Sequence, residues 1–275
     1  ADQKRCPEVI ARVAELARTS GRRLMVRLVK GAYWDSEIKR AQVFGRTDYP
    51  VFTTKAATDL NYLVCAKLMI EAAPHIYSQF ATHNAHSLAA VYRMASERAV
   101  KIEFQRLHGM GEALYDAARD AFGPVTVRAY APVGGHEDLL PYLVRRLLEN
   151  GANTSFVNRM GDADIPATEL VGDPVAELAA LSPRRNPAIP LPKDIFGARV
   201  NSAGIDLSDP MVREPLMARL KMLEDVQWQA EPTFPAAIAG EIAPITKPHD
   251  PAAVIGTRRD ATAEEVEAAF TRAAA

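Results

Sequence analysis

Two arginines stand side by side at Arg145 and Arg146, three residues after Tyr142, in the stretch Tyr130-Ala-Pro-Val-Gly-Gly-His-Glu-Asp-Leu-Leu-Pro-Tyr-Leu-Val-Arg-Arg-Leu-Leu-Glu-Asn150. A guanidinium is a rigid fork of donors that matches a carboxylate, and the pairing strengthens where water is excluded. A helix entered near Glu137 puts Tyr142, Arg145, Arg146 and Glu149 on one stripe, with Leu139, Leu140, Leu143, Val144, Leu147 and Leu148 covering most of the rest. Pro141 is expected in the first turn, where a missing N–H costs little. The pattern fits a clamp for an acidic group, with Tyr142 packed on the remainder of the ligand. The competing reading is a solvated arginine face in which Glu149 pairs with Arg145 or Arg146.

Other residues with chemistry cluster at the ends of apolar runs: Gly31, Ala32, Tyr33 and Trp34; Thr82, His83 and Asn84; Gln105, Leu107 and His108; and Tyr130. Together they supply aromatic surface, close approach at Gly31-Ala32, hydrogen-bonding groups and, with Arg27 and Lys55, further cations. His, Asp and Glu do not cluster at metal-ligand spacing, and neither a Ser nor a Cys has an evident base. The set suits a large planar cofactor carrying anionic groups plus a small acid, rather than metal-assisted hydrolysis or acyl transfer. Each residue also has a bland reading: a tight turn at Gly31-Ala32, core aromatics at Tyr33 and Trp34, and a buried structural histidine at His83. Their recurrence at four successive run ends favours a site.

The elements that must position them alternate. Residues 7–18 predict a helix, Leu24–Val29 a strand buried on both faces, and a helical stretch starts at Ser36. Val51–Lys55 reads as a short extended piece and 59–71 as a helix. Strand 76–81, helix 87–98, strand 100–105, helix 112–122 and strand 125–130 follow. Alternating βα units imply a parallel sheet, and no Gly-x-Gly-x-x-Gly follows any strand. Distinctive residues at every strand C-terminus are how a (β/α)8 barrel builds its site, and four units make half a barrel.

Residues 161–194 carry six prolines with little periodicity and read as a connector crossing a surface. Beyond it, 209–229 is expected to be helical, 253–257 a short strand, and Thr262-Ala-Glu-Glu265 a capping box. The domain expectation is 1–160 for the half barrel, 161–208 for the connector and 209–275 for the start of a second domain.

The 275 residues are 48% hydrophobic and 24% charged with net charge −1, an ordinary composition with interspersed charge and no dedicated nucleic-acid surface. Apolar runs fall short of a membrane span and the chain opens on no signal peptide; with Cys6 and Cys65 as the sole cysteines, a reducing, cytoplasmic location is expected. The chain opens on Ala1 and closes in a helical pattern, so an internal fragment is expected.

Four ordered motifs carry a resemblance: Arg27-Leu-Val-Lys-Gly-Ala-Tyr-Trp-Asp35, Phe80-Ala-Thr-His-Asn-Ala-His86, Phe104-Gln-Arg-Leu-His-Gly-Met-Gly111, and Tyr142 through Phe156. They resemble the flavin-dependent proline dehydrogenases, most closely the barrel of the bifunctional bacterial proline utilisation A family. Asn201 onward resembles the start of that family's aldehyde dehydrogenase-type domain, which oxidises Δ1-pyrroline-5-carboxylate with NAD. No catalytic cysteine of that domain lies in this chain.

The resemblance implies an α/β fold, the C-terminal half of a (β/α)8 barrel. It implies FAD, and L-proline oxidised to Δ1-pyrroline-5-carboxylate by hydride transfer from C5. It further implies electrons passed to membrane quinone, peripheral association with the inner face of the bacterial membrane, and a homo-oligomer. Arg145 and Arg146 would pair with the proline carboxylate, and Tyr130, Tyr142, Leu107 and Tyr33 would shape the proline pocket. Arg27, Val29, Gly31, Ala32, Tyr33, Trp34, Lys55, Thr82, His83, Gln105 and Glu149 would contact FAD. The family's lysine and acidic residues from the earlier strands have no counterpart here. A non-catalytic segment serving domain docking, and a different barrel enzyme acting on another small acid, are the alternatives.

Overall fold

The computed structural model describes residues 1–151, 171–233 and 240–274, with side chains left out for 147–151. The chain divides into two compact units, 1–204 and 205–275.

In the first unit, α1 (Cys6–Ser20), β1 (Leu24–Leu28), α2 (Trp34–Val43), α3 (Lys55–Glu71), β2 (Ile76–Ala81), α4 (Ala85–Glu97), β3 (Glu103–Leu107), α5 (Glu112–Phe122), β4 (Val127–Tyr130) and α6 (His136–Gly151) follow in order. The strands form one sheet in the order β1-β2-β3-β4, every pair parallel. Consecutive parallel strands joined by helices are the expected βα repeat, and α3, α4 and α5 pack against one face. Phe80 and Phe104 point to that face. With Tyr62, Met69, Ile70, Ile76, Leu88, Val91 and Tyr115 they make a fully buried core against α3, α4 and α5. Each such side chain contributes roughly 1.5–3 kcal/mol of burial.

The opposite face is concave. β1 and β4 are the sheet's two edges, yet Arg27 on β1 lies 4.7 Å from the Tyr130 ring centroid on β4. Three strand spacings of about 4.8 Å separate these edges in a flat sheet. Side chains from both edges therefore lean together over a curled surface, as in a barrel wall.

Several boundaries differ from the sequence reading. Only Val51 of the 51–55 piece is extended, bridging Gln3, and α3 already starts at Lys55. β3 begins at Glu103 rather than 100 because Val100 N–H still bonds Ala95 O at the close of α4. β4 begins at Val127. Pro141 lies inside α6, which starts at His136, so it is past the first turn and leaves Glu137 without an i+4 donor. Both residues are exposed, where water can serve that carbonyl.

The proline-rich connector is not merely a surface strap. Its described part contains α7 (Pro174–Ala180), N-capped by Asp173, and a 3-10 turn at Pro192–Asp194. Pro174 and Pro192 are buried, and Tyr49 donates its hydroxyl to Pro190 O at 2.7 Å. Residues 202–204 return to Gly45, whose position a Cβ would deny them because it would collide with Ser202 O. Gly45 also has φ +55°, so both conformation and space require glycine there.

The second unit holds α8 (Pro210–Lys221), β5 (Trp228–Ala230), β6 (Ile242–Lys247), β7 (Asp250–Arg259) and α9 (Ala263–Ala273). The expected helix over 209–229 stops at Lys221, because Trp228–Ala230 instead pairs in parallel with Gly256–Arg258. The expected strand at 253–257 extends over ten residues, and its antiparallel partner β6 was not anticipated. Thr262 and Glu265 form the capping box that starts α9.

Candidate functional site

The C-terminal ends of β1 to β4 and the helix after β4 bring most of the singled-out residues together. After β1, Gly31 has φ +138° and a Cβ there would strike the Asp2 carboxylate, so the turn is closed to other residues. The turn presents Tyr33, whose ring lies 4.5 Å from the Arg145 guanidinium carbon. On α6, Arg146 sits 5.3 Å from the Tyr142 ring centroid. The arginine stripe is half-buried and turned inward, whereas Leu140, Leu143 and Val144 on the leucine stripe are 50%, 50% and 47% exposed. That is the reverse of an ordinary amphipathic surface helix. Arg145 Nε is buried without a hydrogen-bond partner among the described residues. A buried cationic donor left this way is costly unless a ligand supplies the acceptor.

After β2, Thr82 Oγ1 accepts from Asn84 N–H at 3.1 Å and Asn84 Oδ1 caps α4 through Ser87 N–H at 2.8 Å. His83 Nε2 accepts from Leu107 N–H at 3.1 Å, tying the ends of β2 and β3. Burial, then the positive charges of Arg146 and Arg106, pushes the imidazole below its usual range. The lowered pKa favours the neutral ring, and the bond accepted at Nε2 puts its proton on Nδ1. Behind it, Tyr115 donates its hydroxyl to Thr82 O at 2.9 Å and lies 3.3 Å from Gln105 O.

Two charged clusters escaped the sequence reading. Asp59 on α3 bridges Lys30, at the end of β1, and Lys55. Burial raises its carboxyl, but the two ammonium groups outweigh that and hold it below the usual range; for Lys30, burial wins over the pairing and pulls the ammonium down. Glu103 opens β3 on the concave face. Its carboxylate accepts from Arg128 at 3.0 and 2.8 Å, Gln105 at 2.8 Å and Gln79 at 3.0 Å. Arg128 first, against burial, and then the amides keep it ionised. The partners lie 24 or more residues from each carboxylate, apart from Lys55 and Gln105, so local spacing gave little signal.

The proline dehydrogenase family matches residues 1–159. The chain belongs to that family. It is similar to "Bifunctional protein PutA" of Salmonella typhimurium, 50% identical over 285 residues that cover 98% of this chain and 22% of that protein. Among solved structures, a mutant of proline utilisation A from Bradyrhizobium japonicum matches with TM-score 0.73 and 50% identity, over 80% of this chain and 23% of that one. Proline utilisation A from Bdellovibrio bacteriovorus, inactivated by N-propargylglycine, matches with TM-score 0.76 and 30% identity over 98% of this chain and 28% of that one. The chain spans about a fifth of the length of the curated relatives it matches.

Within this proline dehydrogenase family member, three guanidinium–aromatic pairs form: Arg27 with Tyr130, Arg145 with Tyr33, and Arg146 with Tyr142. Thr82, His83, Gln105 and Leu107 are linked by the hydrogen bonds above. Lys55 joins the β1 end through Asp59 rather than directly. Val29 gives its carbonyl to the backbone nitrogen of Ala1 at 2.7 Å. Ala32 is half-buried in the turn. Trp34 goes elsewhere: it donates to Phe52 O at 2.7 Å and packs with Ile38, Ala41, Tyr49 and Val51 in a second small cluster. The side chain of Glu149, and the end of the last motif at 152–156, lie outside the described residues.

Proposed function

We propose that this chain supplies the substrate-carboxylate clamp and much of the cofactor surface of a flavin-dependent proline dehydrogenase. The observation that carries the reading is the inward-turned pair Arg145 and Arg146, set against the rings of Tyr33 and Tyr142, with a buried Arg145 N–H that has no acceptor among the described residues. Two parallel forks in a half-buried setting hold a small carboxylate in one orientation. Tyr130, Tyr142, Leu107 and Tyr33 are placed to pack on an apolar ring beside it.

The residues present fit FAD. Lys55, exposed at the start of α3, provides charge for phosphates, His83 and Thr82 provide neutral hydrogen-bonding groups, and Arg27 with Gln105 reaches the concave face. Bound FAD would supply the two-electron acceptor for the hydride leaving proline C5. The chain's own contribution is orientation and electrostatics: Arg145 and Arg146 fix the carboxylate, the aromatic rings exclude water, and no acid–base residue is required of this segment.

The reading extends to the whole protein. Likeness to bifunctional relatives across 98% of the chain supports residues 205–275 as the opening of a pyrroline-5-carboxylate dehydrogenase domain that would use NAD. Delivery of electrons to membrane quinone from a cytoplasmic, peripherally attached homo-oligomer belongs to the same proposal. Among the described residues no helix is long and apolar enough to cross a membrane.

The test is an anaerobic absorbance spectrum of the intact protein with FAD before and after L-proline. Bleaching of the flavin band by proline is expected. A protein that holds no flavin, or a flavin that proline leaves oxidised, would overturn the reading and favour a docking segment.

A further inference from the structure

The Glu103 carboxylate stands among three donors that the sheet register brings to it. Gln79 on β2 is its register partner, and Arg128 on β4 pairs with Gln105, two residues along β3. Alternation along β3 puts Glu103, Gln105 and Leu107 on the concave face, in that order toward the mouth. Glu103 Oε1 receives Gln105 Nε2 at 2.8 Å, Gln79 Nε2 at 3.0 Å and Arg128 Nε at 3.0 Å, while Oε2 receives Arg128 Nη2 at 2.8 Å.

An ionised carboxylate only accepts, so the Gln105 end that faces it must be the amide NH2. The carbonyl oxygen of Gln105 then lies on the far side of the same Cδ. We propose that Glu103 is a positioning residue that fixes the polarity of Gln105, so that Gln105 offers the cofactor an acceptor and recognises a ligand N–H. On an oxidised isoalloxazine the one ring N–H belongs to the pyrimidine end, which makes that end the group selected. The inference rests on the flavin reading above and deepens it. A purely structural carboxylate would need only its ion pair with Arg128.

Two variants separate polarity from structure. Glu103→Met keeps the length and removes both acceptor oxygens, so nothing holds the Gln105 NH2 and the amide is free to turn it toward the cofactor; Arg128, 62% exposed, is left to solvent. Glu103→Gln keeps an oxygen where Oε1 accepts from Gln105, Gln79 and Arg128 Nε, and loses only the contact of Oε2 with Arg128 Nη2. In the intact enzyme, flavin dissociation constants and the shape of the visible flavin band are measured for both. E103M is expected to weaken flavin binding about tenfold and change the band, the loss of one well-made hydrogen bond plus an opposed dipole; E103Q is expected to keep both near wild-type values. Wild-type affinity and band shape in E103M overturn the proposal, as does equal impairment of both variants, the mark of a carboxylate that serves only its ion pair. If E103M does not fold, E103Q decides alone, and impaired flavin binding in folded E103Q overturns the proposal. A wild-type enzyme without flavin overturns both this inference and the reading beneath it, so the two failures are distinguishable.

Discussion

The guanidinium of Arg145 lies 4.5 Å from the ring centroid of Tyr33, joining the helix after the last strand of the sheet to the turn after the first. The contact spans the two edges of the sheet and sets the fork in a fixed plane. Replacing Arg145 or Arg146 by Lys keeps the charge and loses the planar fork. The proline KM of the intact enzyme should rise at least about tenfold, or roughly 1.4 kcal/mol, for each. Steady-state kinetics with unchanged KM in both variants would remove the clamp assignment.

Asp59 should set an acid limb of the stability curve. Its folded pKa is depressed by Lys30 and Lys55, so the stability it contributes is full above the ordinary Asp value of about 3.9 and is lost as pH falls through the lower folded value. Asp59→Asn leaves two ammonium groups facing a neutral amide and should cost about 1–2 kcal/mol at pH 7, since the pair is partly screened. Denaturant titrations between pH 2 and pH 7 (a window of about five units around that limb) check both. A variant with wild-type stability at pH 7 and an unchanged acid limb counts against the pairing.

Much of this was legible in advance and some was not, for physical reasons. The βα alternation shows because strands buried on both faces are continuous apolar runs, as in Leu24–Val29. Arg145 and Arg146 show because helical spacing places them with Tyr142. Glu103 did not, because one acid in a strand reveals nothing of donors on β2 and β4 until the register is known. The helix at Pro174–Ala180 was hidden because prolines read as breakers, whereas Pro174 sits in the first turn after an Asp173 cap, where proline is favoured. β6 was missed because Pro244 interrupts a mixed run that forms a strand only beside β7.

His83 should be neutral at pH 7 in the native enzyme. Its folded pKa lies below the usual 6.5 through burial and the nearby arginines, so the native state binds fewer protons than the unfolded chain. The sign follows: stability from this group is retained at neutral pH and falls as pH drops below the unfolded value toward the folded one. Proton NMR of the imidazole should show titration below 6.5, and titration at or above that value contradicts the packing described.

Cys6 should be the thiol that reacts. It begins α1 and is half-buried, and hydrogen bonding from Cys65, opposed by burial, lowers it to about 6, while the same contact and burial push the buried Cys65 up. Iodoacetamide at pH 7 should label Cys6 well before Cys65, by mass spectrometry of the folded protein. Equal labelling, or Cys65 first, would show that the pair is not arranged this way.

Tyr115→Phe should cost about 1–2 kcal/mol in chemical denaturation, because it removes a buried donor from carbonyls at the ends of β2 and β3. A null effect would mean that water replaces the hydroxyl.

That hydroxyl has one hydrogen and two carbonyls within reach, Thr82 O at 2.9 Å and Gln105 O at 3.3 Å. At any instant only one strand end holds it fully, so the two ends compete for a single clasp. Loosening Thr82 hands the proton to Gln105, and the reverse. The mouth of the sheet therefore behaves as a linked pair, and amide hydrogen exchange at Thr82 and Leu107 should shift in opposite senses when either is disturbed.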